Sequence, residues 1–223
     1  MSNSITIRKK IKKFNKIISV SGDKSLSIRW VLISSLASGV SHAKNLLISE
    51  DVLAAINAVK KLGIKVSYNK FSCKIYGKGI DGYKYNNKLT INAKNSGTLG
   101  RLILGLIINS PYAVKLIGDK SLSKRDFKRV TEPLTKFGAA FKFKKKNGLP
   151  LIIKGSKNLT PIKYFEKKGS AQCKSSIMFA GIRSSGKTII KAKKSRNHTE
   201  LLFKYLKLPI KIKSNKNYDL IEV

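Results

Sequence analysis

Acidic residues are the scarcest charged class in this chain. Eleven Asp and Glu stand against 47 Lys and Arg, a formal net charge of +36 over 223 residues. An excess of that size points to nucleic acid, a membrane surface or acidic substrates. Arginine is scarce as well, with only seven. The excess is lysine, spread over the polar positions of apolar-periodic segments. A dedicated nucleic-acid binder more often clusters arginine and interleaves aromatics. The pattern therefore reads as a lysine-biased solvated surface that would bind polyanions non-specifically at low salt. There are two cysteines, Cys73 and Cys173, far apart and without CxxC spacing. That excludes a disulfide framework and gives no zinc site. His42 and His198 form no ligand-like cluster. No apolar run is long enough to span a membrane. Residues 1–16 are basic but lack the apolar segment of a signal peptide; Ile5 and Ile7 alternate as in a strand.

What the chain does have is Gly22-Asp-Lys-Ser-Leu-Ser-Ile-Arg29, followed at once by an apolar run from Trp30 to Leu36. Lys24 and Arg29 are fixed cations, and Ser25 and Ser27 add hydroxyls. A donor loop opening onto a helix N-terminus favours anions, because unpaired N–H groups and the dipole converge there. The same residues also fit a capped helix whose basic side chains face water.

Recurrence decides between these readings. The pattern repeats about every seventy residues. Small-polar loops occur at Asp23-Lys24-Ser25, Asn95-Ser96-Gly97-Thr98 and Gly169-Ser170-Ala171-Gln172. Each leads into an apolar helix, over 26–37, 99–108 and 174–182, with a breaker beyond it at Gly39, Pro111 or Gly186. Strand-like runs follow at 41–47, 112–117 and 187–191. Amphipathic helices come next, marked by Val52, Ile56 and Val59, by Phe127, Val130, Leu134 and Phe137, and by Leu202, Tyr205 and Leu206. Ser49 is placed to cap the first of these, with Glu50 and Asp51 in its first turn. Hairpins close each unit: 64–68 with 72–76, 140–143 with 151–154, and 210–213 with 218–223. The unit is strand-helix-strand-helix-strand-strand, three times. The expected fold is an α/β (α+β) domain of three βαβαββ units around buried parallel helices. Its units span about 17–80, 88–155 and 160–223, after an N-terminal strand or crossover segment at 1–16. Three helix N-termini would then share one face with Lys24, Arg29, Arg101 and Arg125, a surface for a ligand with several anionic groups.

Two motifs mislead. Gly181-Ile-Arg-Ser-Ser-Gly-Lys187-Thr188 matches the phosphate-binding P-loop letter for letter. That motif needs a strand before it and a helix after it; here a helix precedes and a β-branched run follows. The hexapeptide Gly-Asp-Lys-Ser-Leu-Ser recurs at 118–123, but not at the start of a buried helix, so Lys120 is expected to be structural or solvated.

The ordered segments resemble the EPSP synthase family. Those are Gly22 to Arg29, Asn95-Ser-Gly-Thr-Leu-Gly-Arg101, Gly118 to Arg125 with Glu132-Pro133-Leu134, Ser170-Ala-Gln-Cys-Lys-Ser175 and Ser195-Arg-Asn-His-Thr-Glu200. The resemblance runs from about residue 17 to 210. It implies enolpyruvyl transfer from phosphoenolpyruvate to the 5-hydroxyl of shikimate 3-phosphate, in the cytoplasm and without metal or organic cofactor. It implies that Lys24 is catalytic and lies between the two substrates. Ser25, Arg29, Ser170, Ala171, Gln172 and Arg196 would hold shikimate 3-phosphate together with Lys24. Asn95, Gly97, Arg125 and Gln172, again with Lys24, would hold phosphoenolpyruvate.

The chain departs from the family pattern at Ser21, Ile28 and Asp126. Asp126 sets an acid beside Arg125. The larger departure is length: the family has two such domains with the site between them, and the second carries its acid/base carboxylates. The resemblance therefore implies a fragment or split half, inactive alone, that works with a separate second-half chain. The alternatives are a non-catalytic anion-binding domain of that descent and a basic nucleic-acid-binding protein.

Overall fold

The structure is a computed structural model that describes residues 4–6, 8–10, 13 and 15–223. The first unit contains α1 (Lys24–Ser34), β1 (Ser38–Lys44), α2 (Glu50–Lys61), β2 (Lys65–Tyr68) and β3 (Ser72–Lys78). The second contains β4 (Thr90–Asn92), α3 (Gly97–Leu106), β5 (Val114–Ile117), a short α4 (Lys120–Ser123), α5 (Lys128–Thr135), β6 (Ala140–Phe143) and β7 (Leu151–Lys154). The third contains β8 (Lys163–Glu166), α6 (Ala171–Gly181), β9 (Ile189–Lys193), α7 (His198–Tyr205), β10 (Lys211–Ser214) and β11 (Tyr218–Glu222). The mixed α/β architecture expected from the repeats is present. The expected breakers, Gly39, Pro111 and Gly186, fall five residues beyond the ends of α1, α3 and α6, at Ser34, Leu106 and Gly181. Gly39 is itself the second residue of β1, where its φ of 105° suits glycine.

Three small sheets wrap the helices, in the orders β1-β3-β2, β4-β5-β7-β6 and β10-β11-β9-β8. Each is an antiparallel hairpin extended by an outer strand. In the second and third sheets a further strand joins in parallel, β4 beside β5 and β8 beside β9. The first sheet has no such strand among the described residues. Ile5 lies outside any strand and is exposed, while Ile7 lies outside the described residues.

At the centre the apolar helix α3 packs on both α6 and α1. Nearly every side of α3 and α6 is buried, so neither needs a polar face. Their closest approach is set by Gly105: a Cβ there would lie 2.1 Å from the Ser176 carbonyl oxygen. The amphipathic helices cover this centre with Val52, Ile56 and Val59, with Val130 and Leu134, and with Phe203. Phe179 of α6 meets Phe203 of α7 edge-on, with ring centroids 5.6 Å apart. At α7 the sequence pattern misleads: Tyr205 of the expected apolar stripe is 82% exposed, and Leu201 beside it is 54% exposed.

Gly105→Ala should wedge α3 from α6. Urea unfolding should show a loss of about 1–3 kcal/mol, the usual cost of overpacking a tight core; an unchanged midpoint would mean the helices part freely.

Candidate active site

Three helices begin on one face, each capped by a short side chain. Asp23 accepts from the Leu26 N–H at 2.7 Å, Ser96 from Leu99 at 3.3 Å and Ser170 from Cys173 at 3.2 Å. Capping uses one orphan donor per helix and leaves the rest, with the positive dipole ends, facing the same space. A cleft of about 500 Å³ opens there, lined by Lys24, Ser49, Glu50, Asp51, Asn95, Gly97, Thr98, Arg125 and Gln172. It gathers Lys24, Asn95, Gly97, Arg125 and Gln172 from all three units, residues that are far apart in sequence.

Lys24 is 57% exposed, and its Nζ lies 3.0 Å from Asp51. Asp51 therefore links α2 to α1 as well as lying in the first turn of α2. Ser49 occupies the N-cap position of α2, yet its side chain makes no capping bond. Arg125 donates to Asn95 Oδ1 at 3.1 Å. Asp126 does not spoil that pair: its carboxylate accepts from the Lys128 N–H at 2.8 Å, at the start of α5.

Arg101 is the organising residue that the motifs did not assign. Buried to 3% exposure, it donates to Gln172 Oε1 at 2.6 Å and to the Asp126 carbonyl at 3.1 Å, and it stacks over Phe127. Gln172 in turn donates to Thr98 Oγ1 at 3.1 Å. Arg101 thus aims Gln172 and orders the loop bearing Arg125. Burial, then the nearby Arg129 and Arg125, push its pKa down to about 10, so it stays charged at neutral pH.

Arg29 is similarly buried and lies between α1, α6 and α7. It donates to Thr199 Oγ1 at 2.7 Å, to the Ser25 carbonyl at 3.0 Å and to Ser175 Oγ at 3.3 Å. Burial, opposed by Glu200 and assisted by the nearby Arg196, brings its pKa down to about 10. Arg196 itself is exposed on the loop before α7. Ser170 and Ala171 begin α6, beside Gln172, and Glu166 holds the Ser170 N–H at 2.8 Å. Ser27 is not free for a ligand, since it is buried and accepts from the Leu47 N–H at 3.1 Å. Ile28 lies wholly in the core.

Within the Ser170–Ser175 and Ser195–Glu200 segments, Lys174 and Glu200 form an ion pair at 2.5 Å, 0% and 3% exposed. These two are structural, joining α6 to α7. The hexapeptide at 118–123 repeats the local shape of the first copy, with Asp119 accepting from Leu122 at 2.7 Å, but α4 ends after one turn and Lys120 is exposed. The P-loop match is a helix-to-strand turn, with Lys187 3.8 Å from Glu222. Cys173 is buried, and burial first pushes its pKa up to about 12. Among the described residues no His, Cys, Asp and Glu group together to hold a metal ion, and no helix is long and apolar enough to cross a membrane.

The chain is similar in sequence and in fold to known proteins. Residues 8–222 match the sequence model of the EPSP synthase (3-phosphoshikimate 1-carboxyvinyltransferase) family. A 3-phosphoshikimate 1-carboxyvinyltransferase of Caldicellulosiruptor bescii is 43% identical over 202 residues, 90% of this chain and 46% of that protein. One from Sulfurihydrogenibium is also 43% identical, over 86% of this chain and 44% of its own length. The solved structure of EPSP synthase from Acinetobacter baumannii superposes with a TM-score of 0.83 at 30% identity, over 92% of this chain and 46% of that one. The chain spans about half the length of the curated relatives it matches.

Lys174→Ala would strand Glu200 in the core. Such a break typically costs about 3–5 kcal/mol, so the thermal midpoint should fall sharply. Lys187→Ala should leave both stability and phosphate binding unchanged; loss of a tight, magnesium-dependent ATP complex in that variant would reinstate the P-loop.

Proposed function

The chain belongs to the EPSP synthase family, and on that premise we propose that it is the half of a 3-phosphoshikimate 1-carboxyvinyltransferase that holds shikimate 3-phosphate and one side of phosphoenolpyruvate. The observation that carries this reading is the cleft at the three helix N-termini, where Lys24, Asn95, Gly97, Arg125 and Gln172 meet. Two phosphorylated carboxylates suit a site where Lys24 and Arg125 meet three helix N-termini whose remaining backbone donors are unspent, with Asp51 paired to Lys24.

In this reading Ser25 and Arg29 take the shikimate carboxylate, and Ser170, Ala171 and Gln172 cradle its 3-phosphate, with Arg196 at the rim. Asn95, Gly97, Arg125 and Gln172 hold phosphoenolpyruvate. Lys24 lies between the substrates. As the 5-hydroxyl gives up its proton and its oxygen bonds to C2 of phosphoenolpyruvate, the C2–C3 π electrons take up a proton at C3 and a tetrahedral ketal forms. Expulsion of phosphate and loss of a C3 proton then leave the enolpyruvyl ether. The ammonium of Lys24 offsets charge at the attacking oxygen. The acids beside it have other work: Asp51 pairs with Lys24, and Asp23 caps α1. Membership of the family implies that proton transfer falls to groups in the remaining half of the relatives' length, and the open cleft leaves the cations screened by water until that half covers them.

The chain alone should bind shikimate 3-phosphate weakly in calorimetry. Arg29→Ala, if its thermal midpoint shows it folded, should weaken binding by about tenfold or more, as for loss of hydrogen bonds to a charged group. Equal heats for both proteins would remove Arg29 from the site.

Phosphate release from phosphoenolpyruvate that depends on shikimate 3-phosphate should be undetectable for the lone chain and appear on adding a separately expressed second half. Lys24→Ala should then cut it by about 10²–10³-fold, the usual scale for losing a charge-stabilising group. Robust release by the lone chain would refute the division of labour.

A further inference from the structure

The outer face of the third sheet differs from those of the other two. Its pairing register sets Lys213, Leu220, Lys191 and Phe165 in one row across β10, β11, β9 and β8. Tyr218 and Lys193 sit opposite each other in the next row. Strand alternation turns these side chains outward, since Ile190, Ala192 and Ile221 between them are wholly buried. Phe165 is 37% exposed and Leu220 43%. The Phe165 and Tyr218 rings meet at 62°, with centroids 5.5 Å apart. The Lys191 ammonium lies 5.0 Å from both centroids, and that of Lys167 lies 5.5 Å from the Phe165 centroid. Among the described residues Glu222 is the only acid at an outward strand position of this sheet, and Lys187 lies 3.8 Å from it.

An outward row of the first sheet reads Val40, Tyr76 and Lys65, and one of the second reads Lys115, Ile152 and Lys142. Lysine is thus common to all three faces, whereas the third adds two aromatic rings in contact. Cations and aromatics that do not interleave along the sequence do interleave across β8, β9 and β11. The net charge of +36 draws polyanions of every kind; the rings select among them. A ring face takes an unstacked base whatever its identity, and ammoniums take the phosphates. A duplex keeps its base faces against one another and offers the rings nothing. The Lys191 ammonium, on a flexible stem, is free to leave the rings for a phosphate as a base replaces it. A groove of about 570 Å³ continues from Phe165 between β8 and α5, with Lys128, Arg129, Lys136 and Lys163 on its walls. Of the acids there, Asp126 and Glu166 already accept from backbone N–H groups, which leaves Glu132.

We propose that the outer face of the third sheet is a sequence-tolerant binding site for single-stranded nucleic acid, with bases stacked on Phe165 and Tyr218 and phosphates held by Lys191, Lys193 and the cations of the adjoining groove. None of these residues lines the cleft at the helix N-termini, so the site is separate from the enzymatic one.

Fluorescence anisotropy on the full chain tests this, with a labelled oligothymidine of about a dozen nucleotides, within the usual site size for single strands. The oligothymidine should bind about tenfold or more tighter than a DNA duplex or an inorganic polyphosphate of equal charge, the scale of one stacked base. Phe165→Ala and Tyr218→Ala should each weaken it by about tenfold, for the same reason, without altering its salt dependence. Lys193→Ala should lower the slope of log affinity against log salt by about 0.7, the share of one phosphate on a single strand. Lys74→Ala, on the outer face of the first sheet, should leave that slope unchanged. Phe165→Trp keeps a ring, so it should keep the affinity, and its added emission should be quenched by the oligothymidine; this variant decides the matter if an alanine variant fails to fold. Absence of oligothymidine binding, or an unquenched tryptophan at 165, overturns the proposal. Equal affinity for polyphosphate, with no loss in the aromatic variants, would reduce the face to charge alone and also overturns it. Tighter binding to vesicles of anionic lipid, abolished by Phe165→Ala, would assign the face to a membrane surface instead.

Discussion

Three buried helices pointing the same way impose the governing constraint on this molecule. Aligned dipoles place three positive ends together and three negative ends together, a repulsive arrangement in a low-dielectric interior. Each end has to be compensated. Beyond the C-terminal ends of α6 and α1 the polar groups are enclosed: Arg183, just past α6 and 1% exposed, lies over the Tyr83 ring and 3.5 Å from Asp81, and the Tyr83 hydroxyl bonds Ser35 at 2.7 Å past α1. Burial lowers the Arg183 pKa and raises that of Tyr83. At the N-terminal end each helix has one capping side chain, with Glu166 beside the start of α6 and Asp51 beside that of α1. The cations there, Lys24, Arg29, Arg101 and Arg125, add to the positive potential instead of relieving it. The polar groups past α1 and α6 are closed off at one end, whereas the other end has the cleft.

The site is built in two layers. Arg101, Gln172 and Thr98 form one hydrogen-bonded line between α3 and α6; Arg29, Thr199 and Ser175 form another between α1, α6 and α7. These networks make the relative placement of three units depend on polar groups that are themselves buried and partnered, so a slip of one helix would orphan several donors. Gly105 against Ser176 sets the spacing of α3 and α6 from the apolar side. Lys24 and Arg125 are held more loosely, each by one neighbour, and remain reachable from solvent.

The sequence disclosed most of this because the period is strong and local. The small-polar loops before the buried helices are local signals, although the cap expected at Ser49 makes no side-chain bond, and the hairpin at 140–143 with 151–154 is readable to the residue. Resemblance then supplied roles that spacing could not. What stayed hidden needed two distant residues at once. Nothing in Ser170-Ala-Gln-Cys-Lys-Ser175 says that Lys174 faces inward to Glu200 while Gln172 faces the cleft; that division follows from which side of α6 meets α7. Arg101 reads from the sequence as one of four cations on the anion-binding face; its buried hold on Gln172 and the Asp126 carbonyl shows only once those are placed around it. The stripe of Tyr205 and Leu206 was read as buried because periodicity reports an apolar face, not whether the neighbour that covers it is at hand.

The two copies of Gly-Asp-Lys-Ser-Leu-Ser carry a broader consequence. Both fold to the same aspartate-capped turn, so the string dictates shape. One opens an eleven-residue buried helix and the other a four-residue helix at the surface. Destination is set by the residues that follow: Ile28, Val31 and Leu32 drive the first copy into the core, whereas Lys124, Arg125 and Asp126 keep the second in water. A pattern search that scores only the six letters would rank the two as equals. Read as an address, the motif is incomplete without the half-dozen letters downstream, and a duplicated motif can drift to a new role by changing those alone.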